Sequence, residues 1–126
     1  MAGLLAATAL LAAAAGCSPP GVPDDGARVE INVTPQPPAA GSARIEILIS
    51  DPQGRPLAAT GVDLEANMSH PGMQPSFTTA RLEQPGRWLA ELELTMGGDW
   101  VVLVTARLED GRAIRRELRL PGVEPR

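Results

Sequence analysis

From Arg28 onward the chain alternates apolar and polar side chains with a period of two, broken at intervals by clusters of Pro and Gly. Side chains of an extended strand point to opposite faces in turn, so this pattern marks strands with one face buried and the other in water. Val29, Ile31 and Val33 alternate with Glu30 and Asn32, and Ile45, Ile47 and Ile49 with Arg44, Glu46 and Leu48. Val62, Leu64, Ala66 and Met68 alternate with Asp63, Glu65 and Asn67. Further strands are expected over 76–83, 87–95, 99–108 and 112–120. Turns separate them at Asp51-Pro52-Gln53-Gly54-Arg55-Pro56, Gln84-Pro85-Gly86, Met96-Gly97-Gly98 and Asp110-Gly111. About seven short strands with turn signals roughly every eight to twelve residues predict an all-β fold, an immunoglobulin-like antiparallel β-sandwich.

The parity of each strand also predicts the core. Trp88, Ala90, Leu92 and Leu94 should face inward, with Glu91 and Glu93 in water. Val101 to Val104 is apolar at both parities, so that strand is expected to be central and covered on both sides. Arg115, Glu117 and Arg119 are read as a solvated strand face rather than an anion site.

Composition removes several classes of function. The basic residues, 11 in all and every one Arg, are outnumbered by 15 acids, which disfavours nucleic acid as a partner. A single Cys excludes an internal disulfide, and a single His excludes a multi-histidine metal cage and an HExxH zinc site. No GxSxG, P-loop or dinucleotide fingerprint is present, and the one His has only Ser69 beside it as a nucleophile. The chain is therefore not expected to be an enzyme, and no small-molecule substrate is expected.

Residues 1–16, MAGLLAATALLAAAAG, form an uncharged apolar run of signal-peptide length, short of the roughly 20 residues needed to span a bilayer. The run ends in Ala14-Ala15-Gly16-Cys17, which resembles the bacterial lipobox. That resemblance implies a lipoprotein signal peptide over 1–16, cleavage before Cys17 and lipidation of its thiol. Each buried CH₂ of the acyl chains contributes about 0.8 kcal/mol toward a stable membrane anchor. Residues 17–27, rich in Pro, Gly and Asp, read as a flexible tether, and 28–126 as the β-sandwich domain. The expected location is the bacterial cell envelope, facing the periplasm. Ser18 after the Cys favours the outer membrane under the rule that Asp there retains a lipoprotein at the inner one; which of the two membranes holds the anchor stays open.

Besides Met1 the chain has three Met, and two of them bracket the only His in Met68-Ser69-His70-Pro71-Gly72-Met73. The third lies in Met96-Gly97-Gly98-Asp99-Trp100. Thioethers are soft, neutral donors that suit Cu(I), and imidazole completes such a set. If strand 61–67 runs upward, then 76–83 runs down and 87–95 up, which puts loops 68–75 and 96–98 at the same pole. Direction alone does not make them neighbours. Met is also ordinary core filler, and Met68 continues the inward parity of its strand. Trp100 has two readings, core packing and a cation–π contact to an ion, of which packing is favoured.

The stretch from Asp51 to Val104 resembles the YtkA-like (FixH-like) domain family. The resemblance is carried by four segments in the family's order: Asp51-Pro52-Gln53-Gly54-Arg55-Pro56, Met68-Ser69-His70-Pro71-Gly72-Met73, Pro85-Gly86-Arg87-Trp88 and Met96-Gly97-Gly98-Asp99-Trp100. It implies an immunoglobulin-like extracytoplasmic domain associated with copper handling and cytochrome oxidase assembly. On this reading the lipid-anchored domain captures or transfers Cu(I) through Met68, His70, Met73 and Met96, and a membrane protein receives the copper. The alternative is a non-metal interaction module of a membrane complex, such as an efflux adaptor or an oxidase assembly, in which the Met residues are packing. Three Met buried in the core would favour the module; sulfurs converging on His70 at the surface would favour copper.

Overall fold

The structure, a computed structural model, describes Gly3 and residues 25–125. The expected signal peptide (apart from Gly3), Cys17 and most of the expected tether lie outside the described residues. Eight strands follow one another in the described chain: β1 (Arg28–Thr34), β2 (Gly41–Ser50), β3 (Ala59–Met68), β4 (Ser76–Thr79), β5 (Arg81–Gln84), β6 (Arg87–Leu94), β7 (Gly98–Leu108) and β8 (Ala113–Val123). They form two antiparallel four-stranded sheets, ordered β1-β2-β6-β5 and β4-β3-β7-β8. The first sheet is the A-B-E-D set of an immunoglobulin domain, and the second is its C-F-G set with one more strand beside C.

Eight strands replace the expected seven because the run 76–83 is divided at Ala80. Its first half pairs with β3 in one sheet and its second half with β6 in the other. The buried Ala80 marks the crossing, and its amide donates to the Val62 carbonyl at 2.9 Å. Alternation continues unbroken through a strand that changes sheets, so the sequence shows no boundary there. Both halves still run in the same direction, and the polarity of the neighbouring strands is unaffected.

The core lies between the sheets and is built from the expected parities. Ile45, Ile47, Ile49, Val62, Leu64, Ala66, Leu92, Leu94, Val102 and Val104 are all buried, as are Trp88 and Ala90. Glu91 and Glu93 are exposed, as are Arg115, Glu117 and Arg119. The expectation for Val101 to Val104 is half corrected. Strand β7 is central, between β3 and β8, but only Val102 and Val104 are buried, and Leu103 stands 37% exposed on the outer face. A sandwich has two layers, so even its central strands have one open face.

The folded body also begins earlier than the alternation suggests. Ala27 is buried, and the Asp25 carboxylate accepts two hydrogen bonds from Arg116 at 2.8 and 2.9 Å. Arg116 bonds the Ala27 carbonyl as well, and Arg112 bonds the Asp25 carbonyl. Residues 25–27 therefore belong to the body and not to the tether, clasped at the end where β8 starts. Hydrogen bonds from Arg116, supported by the Ala27 amide and opposed by partial burial, hold the Asp25 carboxyl below its ordinary range. A depressed carboxylate stabilises the fold fully above its unfolded pKa, and the contribution is lost as pH falls through the folded value. Resistance to thermal unfolding should therefore weaken below about pH 4, and Asp25→Asn should lower the melting temperature at neutral pH while flattening its decline in acid. An unchanged acid profile in that variant would remove Asp25 from the account.

Candidate metal site at one pole of the sandwich

Strand order answers what direction alone left open. Strands β3 and β7 are neighbours, with Met68 opposite Trp100, so the segment after β3 and the one before β7 leave the sheet side by side. The Ser69 amide donates to the Asp99 carbonyl at 3.1 Å and ties them together. Met68 ends β3 half-buried against the core, its terminal methyl against Gly98. His70 and Met73 stand exposed on the loop beyond Ser69, Met73 at 38%. Met96 precedes β7 and is 43% exposed. The structure thus brings the Met68 and Met96 segments into contact and places the His70–Met73 loop on the same pole. Two of the three Met are not core filler.

Each residue of Met96-Gly97-Gly98-Asp99-Trp100 has a definable task. A Cβ on Gly97 would sit 2.7 Å from the Pro125 nitrogen and 2.9 Å from the Val123 carbonyl, so only Gly lets the C-terminal segment pack there. Gly98 takes φ of +133°, a conformation that L side chains rarely adopt. Asp99 accepts the Gly122 amide through Oδ1 at 2.8 Å. Trp100 is only 1% exposed, and its indole N–H donates to the Met96 carbonyl at 2.9 Å. Of its two expected roles Trp100 takes core packing, and it meets the loop with its N–H edge. Sequence reasoning overlooked Ser69 and Asp99, whose backbone bond joins the loops; no side-chain pattern signals such a bond.

The other two motif segments meet at the opposite pole. Asp51 Oδ1 accepts the amides of Gln53 and Arg55 at 2.9 Å each, and Oδ2 accepts Arg55 Nε at 2.8 Å. This closes a turn in which Gly54 has φ of +82°. Pro56 from that turn packs under Gly86, whose carbonyl accepts the Ile49 amide at 2.8 Å. These two segments are architectural, and the two with soft donors form the candidate site.

Among the described residues no group of three or more His, Cys, Asp or Glu stands together, so a site for a harder cation built on such donors is not seen there. A concavity of about 630 Å³ lies elsewhere, on the outer face of β4-β3-β7-β8, with Phe77, Leu103, Glu65, Thr105, Arg115 and Glu117 among its lining residues.

The fold and the Met/His pole define an immunoglobulin-like β-sandwich with soft donors at one end. The chain belongs to the YtkA-like family, whose model matches residues 22–105. Strand β8 lies beyond that match and completes the second sheet. A DUF4426 family protein from Pseudomonas aeruginosa PAO1 superposes with a TM-score of 0.61 at 15% identity, over 80% of this chain and 93% of that one. Astrotactin-2, a vertebrate-specific perforin-like membrane protein, gives 0.50 at 12% identity, over 78% of this chain and 22% of its own. The soluble domain of PmoD from a Methylocystis species gives 0.49 at 17% identity, over 74% and 89%. Likeness at these identities shows the fold alone. None of the curated proteins compared with the chain matches it.

Proposed function

We propose that the domain captures Cu(I) at its Met/His pole and passes it to a membrane partner, held at the cell envelope by a lipid on Cys17. The observation that carries this reading is the exposure of Met73, Met96 and His70 on one pole, where Met side chains have no packing purpose. Membership of the YtkA-like family supports it. Met68, His70, Met73 and Met96 would hold the ion as three thioethers and one imidazole. Cu(I) accepts two to four soft ligands without strict geometry, so donors can be exchanged one at a time with those of a recipient. No bond of the protein is made or broken. The thioethers have no proton to lose, so only His70 makes binding pH-dependent: a proton competes for the imidazole nitrogen, and affinity falls as the pH drops.

An anaerobic titration with Cu(I) against a competing chelator tests this. The protein should bind one equivalent, and a variant with Met68, Met73 and Met96 all changed to Leu, which roughly keeps side-chain volume, should lose that binding while staying folded. His70→Ala should bind more weakly and with a flat pH profile. A folded protein that takes up no Cu(I) would overturn the proposal. The second reading, an interaction module without metal, would then be favoured by the outer face of β4-β3-β7-β8, where Phe77 and Leu103 stand exposed beside the concavity.

A further inference from the structure

The four donors are not held alike. Met68 ends β3 and Met96 lies two residues before β7, whereas His70 and Met73 sit on the exposed loop beyond Ser69. Three contacts fix the Met96 segment. Its carbonyl accepts the buried Trp100 indole N–H at 2.9 Å. Gly97 lies against Val123 and Pro125, whose own segment is tied down by the Ala40 amide on the Glu124 carbonyl and the Glu124 amide on the Pro38 carbonyl. Gly98 leaves just enough room for the Met68 methyl, which lies 2.9 Å from the place of an added Cβ. The indole is the only one of these contacts made by a side chain to the residue that bears the sulfur. Trp88 is a natural comparison. It is buried at the start of β6, toward the opposite pole, and its indole N–H has no partner among the described residues.

Resting on the Cu(I) reading, we infer that Trp100 is a positioning residue: its indole holds the Met96 backbone so that the Met96 and Met68 thioethers form a preorganised half-site, which His70 and Met73 complete on binding. A donor already in place costs no ordering entropy when the ion arrives, and outer partners that orient ligands are worth roughly 10- to 100-fold in metal affinity.

The test is a mutant cycle on the full chain, read by anaerobic Cu(I) competition. Trp100→Phe should weaken binding about tenfold in the wild type. In a Met96→Leu background the same change should have no further effect, because the group it positions is gone. A purely structural Trp100 would weaken both backgrounds equally, and that result, or no weakening in the wild type, overturns the inference. Should Trp100→Phe fail to fold, the wild-type protein supplies the measurement. Its two indole N–H resonances, assigned with Trp88→Phe, are followed during titration with Ag(I), a redox-stable soft d¹⁰ ion. The Trp100 signal should shift to saturation at one equivalent while that of Trp88 stays; a stationary Trp100 signal with bound metal overturns the inference. Metal uptake with no Trp100 effect sinks the positioning role alone, whereas no uptake sinks both readings.

Discussion

Gly86→Ala is expected to cost about 3 kcal/mol of stability, combining a left-handed backbone penalty of about 1–2 kcal/mol with overpacking of similar size. Gly86 has φ of +74°, and an added Cβ would lie 2.7 Å from the Ile49 carbonyl and 2.8 Å from Pro56 Cβ. Neither obstacle is the end of a flexible side chain. The Ile49 carbonyl also accepts the Leu57 amide, and the Ile49 amide is held by Gly86 itself, so the collision falls on a hydrogen-bonded crossing of two turns. For a domain of this size, 1 kcal/mol shifts the melting temperature by about 4–8 °C, so a loss of more than 10 °C is expected. Gly54→Ala is the matched control. Its φ of +82° carries the same backbone penalty, but nothing lies within 4 Å of the new Cβ. Thermal or urea unfolding of the two variants separates the clash from the conformational cost. Equal losses would mean that Pro56 moves aside freely and that the crossing is not a lock.

That crossing explains why the four family segments need not share a purpose. Asp51 to Pro56 and Pro85 to Trp88 interlock at the pole where β6 begins; Met68 to Met73 and Met96 to Trp100 meet at the other. In the sequence all four look like loop punctuation between strands. Only strand pairing sorts them into two poles.

Most of the fold was legible because its information is local. Parity along one strand decides which side chains face the core, so Ile45, Ile47 and Ile49, or Ala90, Leu92 and Leu94, can be placed without their partners. What was not legible depends on neighbours distant in sequence. The crossing at Ala80 leaves no mark on the alternation, and whether the outer face of β7 is covered depends on a third layer that the described residues do not contain. The Asp25 clasp joins groups 91 residues apart, and a Pro/Gly/Asp-rich stretch gives no hint of it. The candidate site falls between these cases. Strand direction alone puts Met68 and Met96 at one pole. That their two segments touch needs the β3–β7 pairing, and the support of Met96 by Trp100 needs side-chain geometry.

Ile47→Ala and Phe77→Ala should differ by several kcal/mol, although both residues are large apolar side chains in alternating strands. Ile47 is fully buried, opposite Ile31 on β1 and Trp88 on β6. Truncating it removes buried carbon and leaves a cavity that strands held in a ladder cannot close, a loss of about 2–5 kcal/mol. Against a total of about 5–15 kcal/mol for a typical domain, that is a large fraction, and the melting temperature should fall by at least 10 °C. Phe77 is 71% exposed on the four-residue edge strand β4, opposite Glu65. Removing a ring that is already in water should change stability by no more than about 0.5 kcal/mol. Burial, not residue type, decides the cost, and burial is settled by the sheet that faces each residue. A Phe77→Ala loss as large as that of Ile47→Ala would mean that the ring is covered in solution. Repeating the melts across a hundredfold range of protein concentration would then separate a second copy of the chain, whose effect grows with concentration, from an intramolecular cover, whose effect does not.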